Sequence, residues 1–158
     1  MPAGFGTLPL HFALPDLPRT AALATALAPL ARAGDCIALW GDLGAGKTAF
    51  ARAFLRALGV VEDVPSPTFA LVQPYDTDGG PVAHFDLYRI EAEAELDEIG
   101  FDAALDDGII LVEWPGRAGR RLPDDRLDIV FSLDSSGQRA ATLTGHGDWP
   151  ARLDGFAP

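Results

Sequence analysis

The chain holds 158 residues, 48% of them hydrophobic and 22% charged, with a formal net charge of −11. That length suits one domain with one core, and the acidic balance excludes a bare electrostatic grip on nucleic acid, which needs clustered cations. The lone cysteine, Cys36, excludes an internal disulfide and fits a reducing cytosol, so a cytoplasmic protein is expected. The N-terminal MPAGFGTLPLHF has neither the basic start nor the apolar run of a signal peptide. AALATALAPLA is too short to span a bilayer, and no membrane attachment is expected.

In chain order, LHFAL (10–14) reads as an edge strand. After Pro18, Thr20 is the expected cap of a helix with Leu23, Leu27 and Leu30 on one face, ending at Gly34 and kinked or shortened by Pro29. Residues 36–40 form an unbroken apolar run, as a parallel strand buried on both faces does. A helix from about Gly46 to Leu58 follows, with Phe50, Phe54 and Leu58 on one face and Gly59 as its stop. TFALVQPY and VAHFDLYR flank DTDGG as a hairpin. Acidic EAEAELDEIGFDAAL is helical in pattern, with Gly100 as a possible divider, and IILVEW is another buried strand. RLDIVFSL and RAATLTG across DSSGQ make a second hairpin. Alternating strands and helices with two antiparallel hairpins give an α/β fold: one three-layer domain with a mixed sheet, spanning 1–158 with its core at about 10–145.

The residues Gly41, Asp42, Leu43, Gly44, Ala45, Gly46, Lys47 and Thr48 match G-x-x-x-x-G-K-[ST] between a strand and a helix, the context this phosphate-binding motif requires. Glycines let backbone N–H groups converge on phosphate oxygens, and the helix N-terminus adds its positive end. Lys47 reaches for β- and γ-phosphates, and Thr48 holds Mg²⁺ through its hydroxyl. Lys47 is the only lysine among twelve basic side chains. A compact ammonium stands where a planar guanidinium would fit the nest poorly. No second lysine exists to build the Asn-Lys-x-Asp loop that reads guanine, so ATP is the expected nucleotide.

Hydrolysis also needs carboxylates for metal and water. In VAHFDLY, His84, Asp86 and Tyr88 share one strand face; Asp86 reads either as a solvated edge position or as a carboxylate facing the loop. Glu113 follows four aliphatics at the carboxyl end of a buried strand, where open α/β sheets place ligands. It either faces water there or is paired near a metal, since burial alone is costly. SPTF (66–69) offers Thr68 as a switch-like contact or is an ordinary proline-fixed strand entry. Trp114 reads as core or interface, and GRAGRR, with Arg117, Arg120 and Arg121, as a solvated loop. His11 and His146 show no partner spacing.

Taken together, GDLGAGKT, SPTF, HFDLYR, ELDEIGF and LVEWP, in this order and spacing, resemble the bacterial TsaE (YjeE) family over about residues 10 to 133. The resemblance implies a P-loop NTPase-like mixed-sheet domain and an ATPase of tRNA threonylcarbamoyladenosine synthesis. It implies that Lys47 and Thr48 bind phosphate and Mg²⁺, that Thr68 belongs to a switch-like loop, and that Asp86 and Glu113 serve the metal and the attacking water. It places Trp114 in the family's Glu-Trp pair. It also implies the partners TsaB and TsaD, with tRNA reached indirectly through their complex. The C-terminal GHGDWPARLDGFAP has no match in that pattern. Two other classes compete: a P-loop kinase of a small metabolite, with the 117–121 arginines as a lid, and a nucleotide-gated binding module.

Overall fold

The computed structural model describes residues 9–158; the N-terminal segment 1–8 lies outside the described residues. Strands β1 (Leu10–Ala13), β2 (Cys36–Trp40), β3 (Val72–Thr77), β4 (Gly80–Asp86), β5 (Ile109–Glu113), β6 (Leu127–Leu133) and β7 (Arg139–Gly145) form one sheet in the order β1-β7-β6-β2-β5-β4-β3. Neighbours from β6 through β2 and β5 to β4 run parallel, while the β3–β4 and β6–β7 hairpins and the β1–β7 edge pair are antiparallel. The expected mixed sheet with two hairpins is what forms.

Alternation along the central strands divides the core. Ile37, Leu39, Ile109 and Leu111 face one layer, with helices α1 (Leu17–Leu27) and α2 (Lys47–Ala57). Cys36, Ile110 and Val112 face the other, against Leu96 and Phe101 of α3 (Glu95–Glu98) and α4 (Phe101–Asp107). Both faces of β2 and β5 are covered, which is why these strands are apolar up to Glu113 at the end of β5. The result is three layers. No described helix is long and apolar enough to cross a membrane.

Several local expectations change. Asp16, not Thr20, caps α1: its carboxylate accepts from the Arg19 N–H at 3.0 Å, and Thr20 is buried within the first turn. Pro18, lacking an N–H, belongs inside that first turn rather than before it. Pro29 does shorten the helix, as residues Ala28–Leu30 tighten into a 3₁₀ turn. Strand β3 starts at Val72, because Leu71 adopts φ 69° and its N–H bonds the Pro67 carbonyl at 2.7 Å, which turns Thr68 out of the ladder. Residues 91–94 stay outside α3; the Glu95 carboxylate accepts from the Glu91 and Ala92 N–H groups instead. Gly100, at φ 71°, divides the acidic segment as anticipated.

The GRAGRR stretch is not a free loop. It forms 3₁₀ turns over Pro115–Arg121, with Arg121 bridging Asp97 at 2.7 Å and Asp102 at 2.6 Å. His11 and His146 have partners far away in sequence, Thr142 at 3.0 Å and Asp128 at 2.9 Å.

The unmatched C-terminal segment is packed into the structure. Trp149, 1% exposed, opens α5 (Trp149–Arg152) and inserts into the α1–α2 core layer. Arg152 clamps Asp35 with two bonds of 2.6 and 3.0 Å. Trp149→Ala is therefore expected to cost about 3–5 kcal/mol in guanidinium unfolding, where an unanchored tail would give nearly none.

Candidate nucleotide site

The turn from β2 into α2 is shaped by its glycines. At Gly41, φ 143°, a Cβ would lie 2.7 Å from the Phe131 carbonyl oxygen, so no side chain fits. At Gly46, φ 120°, the conformation strains any L side chain, and it caps α2 with its backbone alone. Lys47, the first residue of α2, is only 4% exposed. Its ammonium donates to the carbonyls of Gly41 and Asp42 and lies 4.3 Å from the centroid of the Trp114 ring. Burial pulls its pKa below the ordinary range, and the carboxylates of Glu113, Asp86 and Asp42 pull it partly back.

Two buried carboxylates stand opposite. Register pairs Asp86 of β4 with Glu113 of β5, side by side at the carboxyl ends of parallel strands. Glu113 accepts from the Thr48 hydroxyl, with Oε1 at 2.9 Å, and its Oε2 lies 2.6 Å from His84 Nε2. Asp86 accepts from the Thr68 hydroxyl at 3.0 Å and from the Tyr88 N–H at 3.0 Å. The solvated-edge reading of Asp86 fails: β3 lies outside β4, and the side chain is buried. Glu113, 3% exposed, does not simply face water either.

After Glu113 the chain reverses through Trp114, a non-glycine residue at φ 57°. That reversal lays the indole beside Lys47, against Tyr88 at 4.9 Å between ring centroids. Trp114 thus lines the site with one side while packing against the α3–α4 core layer with the other.

These groups share a cleft of about 280 Å³. Lys47, Thr48, Thr68, Asp86 and Glu113 line one part of it, together with Leu43, Gly44 and Gly46 of the loop. Ala45 is instead buried in the core, and Gly41 and Asp42 contribute their carbonyls to Lys47. The remainder of the lining includes Asp16, Leu17, Thr20 and Arg139. Leu17 of this part and Leu43 of the loop leave 65% and 73% of their surface exposed, and Arg139 donates to the Gly44 carbonyl at 3.2 Å. Sequence reading missed this part, because nothing local links β7 or the start of α1 to the glycine loop. The His84–Glu113 contact was also missed, although the shared face of His84 and Asp86 was a usable signal.

The donors facing the cleft beside Lys47 are all oxygens: the Thr48 and Thr68 hydroxyls and two carboxylates. Oxygen donors of this kind suit a hard divalent cation such as Mg²⁺, which is typically held by one or two carboxylates plus substrate phosphates. Among the described residues no group of three or more His, Cys, Asp or Glu forms a metal cluster.

The sequence model of the family described as "Threonylcarbamoyl adenosine biosynthesis protein TsaE" matches residues 14–141. The chain belongs to the TsaE family. The protein of that name from Bacillus subtilis strain 168 is 39% identical over 130 residues, covering 82% of this chain and 81% of that protein. The TsaE protein of Rickettsia felis is 43% identical over 136 residues, covering 85% and 80%. The crystal structure of Bacillus subtilis YdiB superimposes with a TM-score of 0.78 at 33% identity, covering 94% of this chain and 93% of that one. The TsaE family is involved in tRNA threonylcarbamoyladenosine biosynthesis, and the five motifs that carried the resemblance fall within a chain of the same fold.

Proposed function

We propose that this chain binds ATP with Mg²⁺ in the cleft and hydrolyses it as the ATPase subunit of tRNA threonylcarbamoyladenosine modification, acting on a TsaB–TsaD complex. The observation that carries the reading is the convergence of Lys47, Thr48, Glu113 and the Asp86–Thr68 pair around one glycine loop. Phosphoryl transfer asks the protein for positioning and charge rather than for covalent chemistry.

Lys47 is the local cation, and its bonds to loop carbonyls can be exchanged for stronger charge-assisted ones to phosphate oxygens. Mg²⁺, held mainly through Thr48 and Asp86 with the Glu113 carboxylate beside it, would neutralise phosphate charge. Glu113 accepts the proton of the attacking water. Thr68, fixed through Asp86, sits in a switch-like segment between two prolines and β3, the element a partner surface would order. Net charge of −11 suits a subunit that meets tRNA through its partners.

The base belongs against Leu17 and Leu43, two exposed aliphatic side chains of the lining that offer surface to a planar ring. Leu17→Ala is expected to weaken ATP binding about three- to tenfold, the loss of part of one leucine's apolar contact, while inorganic tripolyphosphate binding stays unchanged. Equal losses for both ligands would move the base elsewhere.

A metabolite kinase is the second class. Two of the three arginines of its lid are engaged elsewhere: Arg121 is held by Asp97 and Asp102, and the Arg117 guanidinium donates to the Ile90 carbonyl. The test is steady-state phosphate release by the chain alone, with metabolite pools, and with purified TsaB plus TsaD. Slow turnover alone and acceleration by the protein pair are expected. Full-speed turnover without partners, or stimulation by a metabolite alone, overturns the proposal.

A further inference from the structure

His84 has no part in the chemistry above, yet it is the most deeply buried polar side chain at the site, with no exposed surface. It lies on β4, on the same face as Asp86, where register pairs it with Leu111. Its ring therefore reaches diagonally to Glu113 on the neighbouring strand. An ionised carboxylate can only accept, so Nε2 carries the hydrogen in the 2.6 Å contact with Oε2. Nδ1 is buried and has no hydrogen-bond partner among the described residues. That fixes the tautomer: the ring spends its one N–H on Glu113 and leaves only a lone pair unmet.

Glu113 is thereby held at both oxygens. His84 takes Oε2 from β4, and Thr48 bonds Oε1 at 2.9 Å from the first turn of α2. A glutamate side chain held in one rotamer loses conformational entropy, and without a clamp this one is free to turn toward the Lys47 ammonium, to which its charge is already coupled. We infer that His84 is a positioning residue for hydrolysis: its Nε2–H locks the Glu113 carboxylate in the orientation that serves the attacking water, without touching nucleotide. This inference rests on the ATPase reading for its kinetic consequence, but not for the geometry it claims.

Three variants test it. Gln places an amide N–H near the position of imidazole Nε2, Asn falls short of Oε2, and Leu supplies no donor. His84→Leu and His84→Asn are expected to bind ATP with Mg²⁺ within about threefold of wild type while kcat, measured with TsaB and TsaD, drops at least tenfold. His84→Gln is expected to recover most of that rate. Crystal structures of the variants give a readout independent of turnover: Glu113 leaves Thr48 in the Leu or Asn variant and stays on it in the Gln variant. If the Leu variant does not fold, the Asn variant stands in for it. Wild-type kcat in the Leu or Asn variant, a folded Gln variant no better than either, or Glu113 still seated on Thr48 without the His84 donor would each overturn the inference. A wild-type chain that hydrolyses nothing even with both partners would defeat the ATPase reading, and the crystallographic comparison would then decide the clamp alone.

Discussion

Lys47→Ala is expected to weaken ATP–Mg²⁺ binding by about two orders of magnitude, read by calorimetric titration, with the folded state preserved. The size follows from losing a charge-assisted contact in a desolvated cleft, about 1.5–3 kcal/mol for each hydrogen bond to a charged group, at tenfold per 1.4 kcal/mol. The side chain is 4% exposed, and burial already lowers its pKa. Its ammonium is thus poorly compensated by water and strongly rewarded by phosphate. The fold should survive, because Lys47 anchors no core cluster: its partners are two carbonyls of its own loop and the face of Trp114. Lys47→Arg should fail to restore affinity, since the nest between Gly41 and Trp114 that holds a compact ammonium is too narrow for a planar fork. Near wild-type affinity in the alanine variant would remove the phosphate-binding role from this loop.

Why this loop was legible while other features were not is a matter of range. The glycine loop, the strand before it and the helix after it are contiguous, so propensity, periodicity and motif spacing all act on one stretch. The same holds for IILVEW, whose aliphatic run is what burial on both faces demands. The Thr20 cap failed where two capping residue types stood four positions apart, and Pro18 decided between them by requiring a first-turn position. Asp86 stayed ambiguous because the expected hairpin does not say which of its strands is the edge; pairing of β4 with β5 on its other side makes it interior. The Arg139 contact with Gly44 and the Arg152 clamp on Asp35 join residues more than ninety positions apart. Such pairings arise from sheet order, which one sequence does not spell out. The tail was opaque for the same reason: Trp149 packs against β7 and joins the α1–α2 core layer, a neighbourhood set by sheet order.

Glu113→Gln is expected to retain ATP and lose hydrolysis by about 10²- to 10⁴-fold, the usual contribution of a positioned base. The amide can occupy the same place. His84 still needs an acceptor, because its other ring nitrogen has no partner to bond, so the amide oxygen goes to His84 and the amide N–H₂ to Thr48. The Thr48 hydroxyl can turn from donor to acceptor. Size and contacts survive, and only the capacity to take a proton and one negative charge are lost. Asp86→Asn makes the contrast. Asp86 accepts from both the Thr68 hydroxyl and the Tyr88 N–H, and its charge faces the cleft from beside Glu113. An amide there keeps one acceptor oxygen, so the expected effect is a raised Mg²⁺ requirement with hydrolysis recovered at saturating Mg²⁺. Single-turnover hydrolysis across a Mg²⁺ series, paired with ATP titrations, separates the two roles. Equal loss of nucleotide affinity in both variants, or recovery of the Gln variant at high Mg²⁺, would show that the two carboxylates do not divide the labour between water and metal.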